Sequence, residues 1–295
     1  MRRRDGRSAD APRVRGGRRA VLAMIILCAL PLPGRAAEVL GDALAPLRSA
    51  LAEAAEQKAV LEALAEEARG KALASNNKPQ GDEPPELPAP AGFTRETHVT
   101  VNGELRLHLV ERFDPRAEGD ARWTTLLVEP AERAEKIKPQ HQGADGTFAM
   151  YAFTLGGLDP EAAVPVEPPA DGEPGLAYFR FAKVPQDMLQ GDGAAYADKL
   201  EMLVGVDARA GEPHVRELVM HLPEPTRLKL IAKVREFTWR IRYRPLAAGS
   251  RLFVPEEMTT KARFKILFRG EEESLTTVSW RDWSVTEAGT RLLAP

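Results

Sequence analysis

A strict alternation of apolar and polar residues is the strongest pattern in the chain, and it is clearest in EFTWRIRYRP, residues 236–245. In an extended strand, one side carries the large apolar residues Phe237, Trp239, Ile241 and Tyr243. The other side carries Thr238, Arg240, Arg242 and Arg244. The segment is therefore predicted to be a strand whose apolar face lies against something that the pattern alone does not identify.

The next long segment, residues 258–269, repeats the rule. One side carries Met258, Thr260, Ala262, Phe264, Ile266 and Phe268. The other side carries Lys261, Arg263, Lys265 and Arg269. Its expected partner strand adds Val278 and Trp280 to the apolar side. An antiparallel sheet with one apolar face has to cover that face.

Similar signals predict strands over most of the chain after residue 92, with a short helix at residues 130–138 and a long loop at residues 156–175. The other predicted strands are residues 123–128, 176–183, 199–207, 214–222, 227–244, 261–269 and 274–283. They follow one another through short turns, with no helix of crossover length between them. We therefore predict an antiparallel meander.

The first hairpin, HVTVNGELRLHL, raises a question of register. A two-residue Asn-Gly turn would place the valines before it and the leucines after it on opposite faces. A three-residue turn, Asn102 to Glu104, pairs Val101 with Leu105 and Val99 with Leu107, so that all the apolar residues share one face. The three-residue turn is therefore our prediction.

The apolar positions change parity inside residues 227–244. Leu228, Leu230, Ala232 and Val234 are even, whereas Phe237 and the residues after it are odd. One extra residue in a strand produces such a change, so we predict a β-bulge near Arg235 and Glu236. Bulges bend sheets, and the sheet is expected to be strongly curved.

The segment before the sheet predicts an amphipathic helix over residues 37–75. Leu40, Leu44, Leu47 and Leu51 form one stripe at helical spacing, among many good helix formers. Three roles remain open: packing on its own domain, pairing with another chain, or an exposed stalk. Residues 76–92, rich in proline, predict a linker between this helix and the sheet.

Residues 1–36 have the pattern of a cleaved secretory signal peptide. Eight arginines precede an apolar run at residues 20–32, and small residues follow it in GRAAE. The run is shorter than the roughly 20 residues that a membrane span needs, and no later segment is apolar enough to span. We expect export to the periplasm, a β domain at residues 93–286 and a C-terminal tail at residues 287–295.

Removal of such a leader changes the composition of the chain. Cys28, the only cysteine, lies in the apolar run, so the mature chain would have no disulfide, thiolate metal site or cysteine nucleophile. Of 41 Lys and Arg and 43 Asp and Glu, the leader contains nine Arg and two Asp, which leaves 32 basic and 41 acidic residues. A net charge of −9 on the remainder argues against a nucleic-acid partner.

Helix, linker and curved antiparallel sheet in an exported chain resemble the periplasmic Lol-type lipoprotein carriers, which are half-barrels. VERFDPRAEGDARWTTLLV and FVPEEMTTKARFKILFRGEEESLTTVSWRDW also resemble stretches of uncharacterised exported bacterial proteins of this general shape. The resemblance implies a mainly β (α+β) fold, a curved antiparallel half-barrel with a long N-terminal helix. It also implies a concave apolar face that holds acyl chains.

From these observations we predict a cell-envelope protein that binds a lipid, an acylated protein or another apolar ligand. The candidate ligand groove is lined by Phe237, Trp239, Ile241, Tyr243, Phe264, Ile266, Phe268 and Trp280. The alternative is a non-catalytic structural or interaction protein of the envelope, with a filled core and an N-terminal helix that docks a protein partner. A helix that only partly covers the aromatic face would favour the binding function, and one that projects away would favour the alternative.

The cationic side of the sheet is interpreted as a solvated outer face, with an anionic partner as the alternative. No nucleophile elbow, zinc motif, P-loop or dinucleotide fingerprint is present. His98 and His108 fall on the polar face of the first hairpin without an evident carboxylate pattern, and His141 with Asp145 is a weak acid–base signal. We therefore expect no catalysis, no metal and no cofactor.

Overall fold

The structure is a computed structural model that describes residues 33–74, 90–117, 119–134, 144–185, 188–189, 196–209, 212–228, 232–266 and 270–286. The chain divides into two compact units, Met1–Val39 and Leu40–Pro295. In the first unit, residues 33–39 are described and are helical. Residues 1–32 of the predicted leader, most of the predicted linker and the tail at 287–295 lie outside the described residues.

Eleven strands form one open, antiparallel sheet, which confirms the predicted fold class at that level. The strands are β1 (Ala91–Val101), β2 (Glu104–Phe113), β3 (Trp123–Glu129), β4 (Ala163–Val166), β5 (Ala177–Phe181), β6 (Glu201–Asp207), β7 (His214–His221), β8 (Thr226–Leu228), β9 (Ala232–Pro245), β10 (Phe253–Ile266) and β11 (Gly270–Val285). The helices are α1 (Pro33–Ala74) and α2 (Ala144–Leu155), with short 3₁₀ turns at Gly119–Arg122, Ala131–Arg133 and Pro160–Ala162. Among the described residues, no helix has the length and apolarity needed to cross a membrane.

The strand order bears out the predicted meander within β1 to β3 and, apart from β8, within β4 to β11, but it corrects how these two runs are joined. The sheet runs β3-β2-β1-β11-β10-β9-β7-β6-β5-β4, with β8 paired to β9. The first strand therefore pairs with the last, and β3 and β4, which are consecutive in the chain, lie at opposite edges. The connection between them contains α2, a helix of 12 residues, where no crossover helix was predicted.

The two register predictions had different outcomes. In the first hairpin the turn has two residues, Asn102 and Gly103, both at positive φ, and Val101 pairs with Glu104. The three-residue turn was therefore wrong, and a register shift that leaves Arg106 unpaired restores the pairing of Val99 with Leu107. The predicted bulge in β9 is confirmed. Glu236 pairs with Arg263 and Val234 pairs with Phe264, so Arg235 has no pairing position opposite it on β10.

Several predicted boundaries also change. Residues 227–244 were predicted as one strand, but β8 and β9 are separate strands that pair with each other. The predicted loop at residues 156–175 contains a 3₁₀ turn and β4, and the predicted helix at 130–138 shows the turn Ala131–Arg133 where it is described.

The main core lies between α1, α2 and one face of the sheet, which we call the helix-side face. Leu44, Leu47 and Leu51 of α1 are buried in one cluster with Tyr151 and Leu155 of α2 and with residues of β4 to β7, β9 and β10. The leucine stripe of α1 thus packs on the sheet of its own chain.

Polar contacts fix α1 on the sheet. The side-chain amide of Gln57 accepts a hydrogen bond from Phe253 N (3.3 Å) and donates one to Phe253 O (3.4 Å) at the start of β10. Arg48 Nε lies 2.8 Å from Glu161 Oε1. A Cβ on Gly156 would come within 3.2 Å of the Ala54 carbonyl oxygen, so α2 ends in close contact with α1.

Glu53 on the buried side of α1 makes stability depend on pH. Burial, reinforced by the nearby Glu212 carboxylate, raises the pKa of Glu53 to about 7. The folded chain holds this proton more tightly than the unfolded chain, whose Glu pKa is about 4.3. The contribution of this more tightly held proton on Glu53 to the free energy of unfolding is fully present below a pH of about 4.3 and is lost as the pH rises through about 7.

We therefore expect Glu53→Gln to be more stable than the parent chain at pH 8, by about 1–2 kcal/mol after a discount for partial solvent exposure, and similar to it near pH 4. Urea unfolding at the two pH values measures the difference. Glu62→Gln removes the same charge from an exposed position of α1 and serves as the control. An equal effect of both substitutions would show that net charge, and not the site of Glu53, sets the pH dependence.

Candidate functional site

The predicted groove residues of β9 divide into two groups. Ile241 and Tyr243 are fully buried in the main core. Tyr151 of α2 packs edge-on against Tyr243, with ring centroids 5.0 Å apart, and its hydroxyl accepts a hydrogen bond from Val215 N. The assignment of Ile241 and Tyr243 to a groove is corrected, because both are fully buried in the main core, to which α2, a helix that the sequence did not reveal, contributes Tyr151.

Phe237 and Trp239 lie two and four residues before Ile241 on the same face, but they are only partly buried and sit at the edge of the main core. Their direct partners on β10 are small: Trp239 pairs with Thr260, and Phe237 pairs with Ala262. The packed core therefore ends at these two aromatic side chains.

Beyond Trp239 the helix-side face continues across four more strands. The pairing row runs from Thr260 through Thr276 and Val99 to Leu107. All four residues are partly buried. Next to the large Trp239 side chain, this row begins with the small or β-branched residues Thr260, Thr276 and Val99.

The remaining predicted groove residues are dispersed. Phe264 is partly buried on the helix-side face, opposite Val234. Trp280 is buried in a second core cluster with Phe93, Val254 and Val278, so it is corrected from groove to core. The Ile266 side chain and all of Phe268 lie outside the described residues. We call Phe237, Trp239 and Phe264 the aromatic edge.

The opposite, outer face of the sheet contains a buried carboxylate that the sequence analysis missed. Glu217 in β7 has no exposed surface. Its Oε2 accepts a 2.7 Å hydrogen bond from the Tyr178 hydroxyl, and its Oε1 lies 3.2 Å from Arg242 Nε and 3.4 Å from Arg240 Nε. Burial, followed by the hydrogen bond to Glu217, raises the pKa of Tyr178, so that hydroxyl remains a donor.

The segment before β5 covers this carboxylate. The Tyr178 hydroxyl accepts a hydrogen bond from Glu173 N (2.8 Å), and Arg240 contacts Asp171 Oδ2 at 2.7 Å. A Cβ on Gly172 would lie 2.7 Å from the Tyr178 hydroxyl, so this position accommodates only glycine without a shift. The loop thus acts as a strap that seals Glu217 from solvent.

Several other described cations of the outer face have acidic neighbours. Lys261 Nζ lies 2.9 Å from Glu236, and Arg263 contacts both Glu236 and Glu273 at 3.3 Å. Arg216, Arg242 and Arg281 line a cleft of about 610 Å³ together with Glu96, Glu173, Glu256 and Glu257. The outer face therefore carries paired charges and not a uniform cationic surface, which weakens the alternative of an anionic partner.

The described residues do not test the weak acid–base signal of His141 and Asp145. His141 lies outside the described residues, and Asp145 belongs to α2. The signal for Glu217 was present in HVRELVMH, where a lone carboxylate interrupts apolar residues. Its recognition required the pairing of β7 with β9, which places Glu217 opposite Arg242.

No family model matches this chain, and neither a curated protein nor a solved structure is significantly similar to it. Its function has to be argued from its own residues.

Proposed function

We propose that this chain is a cell-envelope binding protein that holds an acyl chain or a similar apolar ligand on its helix-side face, beside the aromatic edge. The supporting observation is the contrast along β9: Ile241 and Tyr243 are fully buried under α1 and α2, whereas Trp239 and Phe237 are only partly buried. Leu44, Leu47 and Leu51 of α1 belong to the core cluster against which Phe237 and Trp239 pack while only partly buried, and this incomplete burial supports the binding function.

The proposal includes a sheet that curves around this face, as in the Lol-type carriers that the sequence resembles. The bulge at Arg235 and the register shift at Arg106 favour such curvature, because bulges increase local bend and twist. It also includes export, on the pattern of residues 1–36. Fractionation of the native cell, with mass measurement of the processed chain, tests the export.

The alternative of a partner-docking helix has less support. Its most suitable surface would be the leucine stripe of α1, and Leu44, Leu47 and Leu51 are buried within the chain. A partner could not reach them without displacing the helix from the sheet.

The binding test uses two adjacent threonines on opposite faces of β10. Thr260 pairs with Trp239 on the helix-side face, and Thr259 pairs with Arg240 on the outer face. A carboxylate beside a bound acyl chain would lose solvation, so we expect Thr260→Glu to weaken binding of a fluorescent fatty acid by at least about tenfold. Thr259→Glu, the matched control, is expected to bind like the parent chain.

Quenching of tryptophan fluorescence tests where the ligand lies. We expect a nitroxide-labelled fatty acid to quench the emission of Trp239, so Trp239→Phe should lose the quenched component. Trp123→Phe, the control, should retain the quenched component. Absence of fatty-acid uptake, together with a ligand-free mass for protein purified from the envelope, would contradict the proposal and assign the aromatic edge to ordinary packing.

A further inference from the structure

A group of metal-ligating side chains lies on the outer face, where β1, β2 and β3 are adjacent. Glu96 Oε1 is 3.0 Å from His98 Nε2 and 2.9 Å from His108 Nε2. The two imidazole rings are stacked, with centroids 4.1 Å apart. One ligand atom from each of the three residues lies within 4.8 Å of the other two.

The strand pairing produces this arrangement. Glu96 precedes His98 by two residues and so shares its face of β1, and His98 pairs directly with His108 of β2. His108 in turn pairs with Glu129 of β3. Three strands with fixed register thus bring two imidazoles and two carboxylates together on a rigid surface.

We propose that Glu96, His98 and His108 bind one divalent transition-metal ion, with Zn²⁺ as the preferred ion. Zn²⁺ takes nitrogen and carboxylate ligands at about 2.0–2.2 Å, and tetrahedral coordination then separates ligand atoms by roughly 3.3 Å. The distances from Glu96 Oε1 to the two nitrogens are a few tenths of an ångström shorter, so the side chains must move outward to admit the ion. The two stacked rings must also tilt so that both Nε2 lone pairs point at it.

Neighbouring groups orient the ligands. Glu129 Oε2 lies 3.3 Å from His108 Nδ1, where it can accept a hydrogen bond from Nδ1–H and leave the Nε2 lone pair free to bind the ion. Arg281 lies 3.3 Å from Glu96 Oε2, which leaves Oε1 for the histidines. The positive charge of Arg281 opposes a bound cation, whereas the negative charge of the Glu129 carboxylate favours one, so we expect moderate affinity.

The site is partly open to solvent. The side chains of His98, Glu96 and His108 are 43%, 23% and 18% exposed. Three protein ligands and an accessible surface leave a coordination position for water or for a ligand atom. Two imidazoles disfavour Ca²⁺ and Mg²⁺, which prefer oxygen ligands.

Isothermal titration of ZnCl₂ into the whole mature chain tests the site. We expect one Zn²⁺ per chain, with affinity lowered at least about tenfold in His98→Ala and His108→Ala, and weakened as well in Glu129→Gln. His221→Ala removes a histidine from the same face of the sheet and is expected to bind like the parent chain. Circular dichroism checks that each variant is folded.

X-ray absorption of the zinc-loaded chain should show two imidazole ligands, and titration with CaCl₂ should show no binding at this site. The proposal is overturned if Zn²⁺ does not bind, if His108→Ala and His221→Ala bind it equally, or if Ca²⁺ binds equally well. These outcomes are independent of fatty-acid binding, because the histidines lie on the face opposite the aromatic edge.

Discussion

Glu217→Ala is expected to lower the free energy of unfolding by about 3 kcal/mol, because it removes the central acceptor of a buried charge network. Tyr178 would lose the acceptor of its hydroxyl, and Arg240 and Arg242 would lose a carboxylate within 3.4 Å. Unfolding by guanidinium chloride, followed by tryptophan fluorescence, measures the change.

Glu257→Ala is the matched control. Glu257 lies on the outer face opposite Arg242, but its side chain is 44% exposed and 3.9 Å from that guanidinium. Removal of an exposed ion pair costs little, about 0.5 kcal/mol. Equal losses for the two substitutions would mean that burial of Glu217 under the strap contributes nothing to the strength of its network.

The hydrogen bonds and ion pairs around Glu217 also hold the strap, the loop at residues 167–175, against the sheet. Asp171 and Glu173 hold the strap through Arg240 and Tyr178, which also contact Glu217. Loss of Glu217 should therefore loosen residues 167–175 as well as the sheet. Faster hydrogen exchange at Glu173 N in Glu217→Gln, with slow exchange retained in β6, would show that coupling.

The sequence predicted the β fold because its signal is local. The two-residue period in residues 236–245 and 258–266 arises because successive side chains of a strand point to opposite faces of the sheet. In the paired strands β9 and β10, the apolar and the polar residues lie on opposite faces as predicted. The bulge at Arg235 was predictable for the same reason, since one unpaired residue changes the parity of all the positions that follow it.

Strand order and helix α2 could not be predicted in this way. The pairing of β1 with β11 joins residues 173 positions apart (Val101 and Ser274) to 194 positions apart (Ala91 and Val285), and no local period reports it. The sequence of α2, ADGTFAMYAFTL, lacks a polar face with helical spacing, because the helix lies over β10 and contributes Tyr151 and Leu155 to the core. A helix with apolar residues on most sides cannot be distinguished from a buried strand by periodicity.

The same limit explains the outcome for the candidate site. Alternation placed Tyr243 and Trp239 on one face, but only the position of α2 determines that Tyr243 is core and Trp239 lies at the edge. The predicted pairing of Val99 with Leu107 already implied that His98 lies opposite His108, but the sequence analysis did not connect Glu96, two residues before His98, with these histidines.

Leu47→Ala is expected to lower the free energy of unfolding by about 3 kcal/mol. Leu47 has no exposed surface, and it packs in the main core with α2 and the sheet. Truncation of a buried leucine removes apolar contacts and leaves a cavity that its neighbours fill only in part, which typically costs 2–5 kcal/mol. Chemical unfolding of the parent and variant chains at one pH measures the difference.

Val60→Ala provides the comparison, because Val60 lies on the same helix with 46% of its surface exposed, and its truncation should cost less than about 0.5 kcal/mol. A large loss for Leu47 and a small one for Val60 would establish α1 as part of the folded domain and a wall beside the aromatic edge. If Leu47→Ala were instead neutral, α1 would be free to leave the sheet, and the partner-docking function would replace the ligand-binding one.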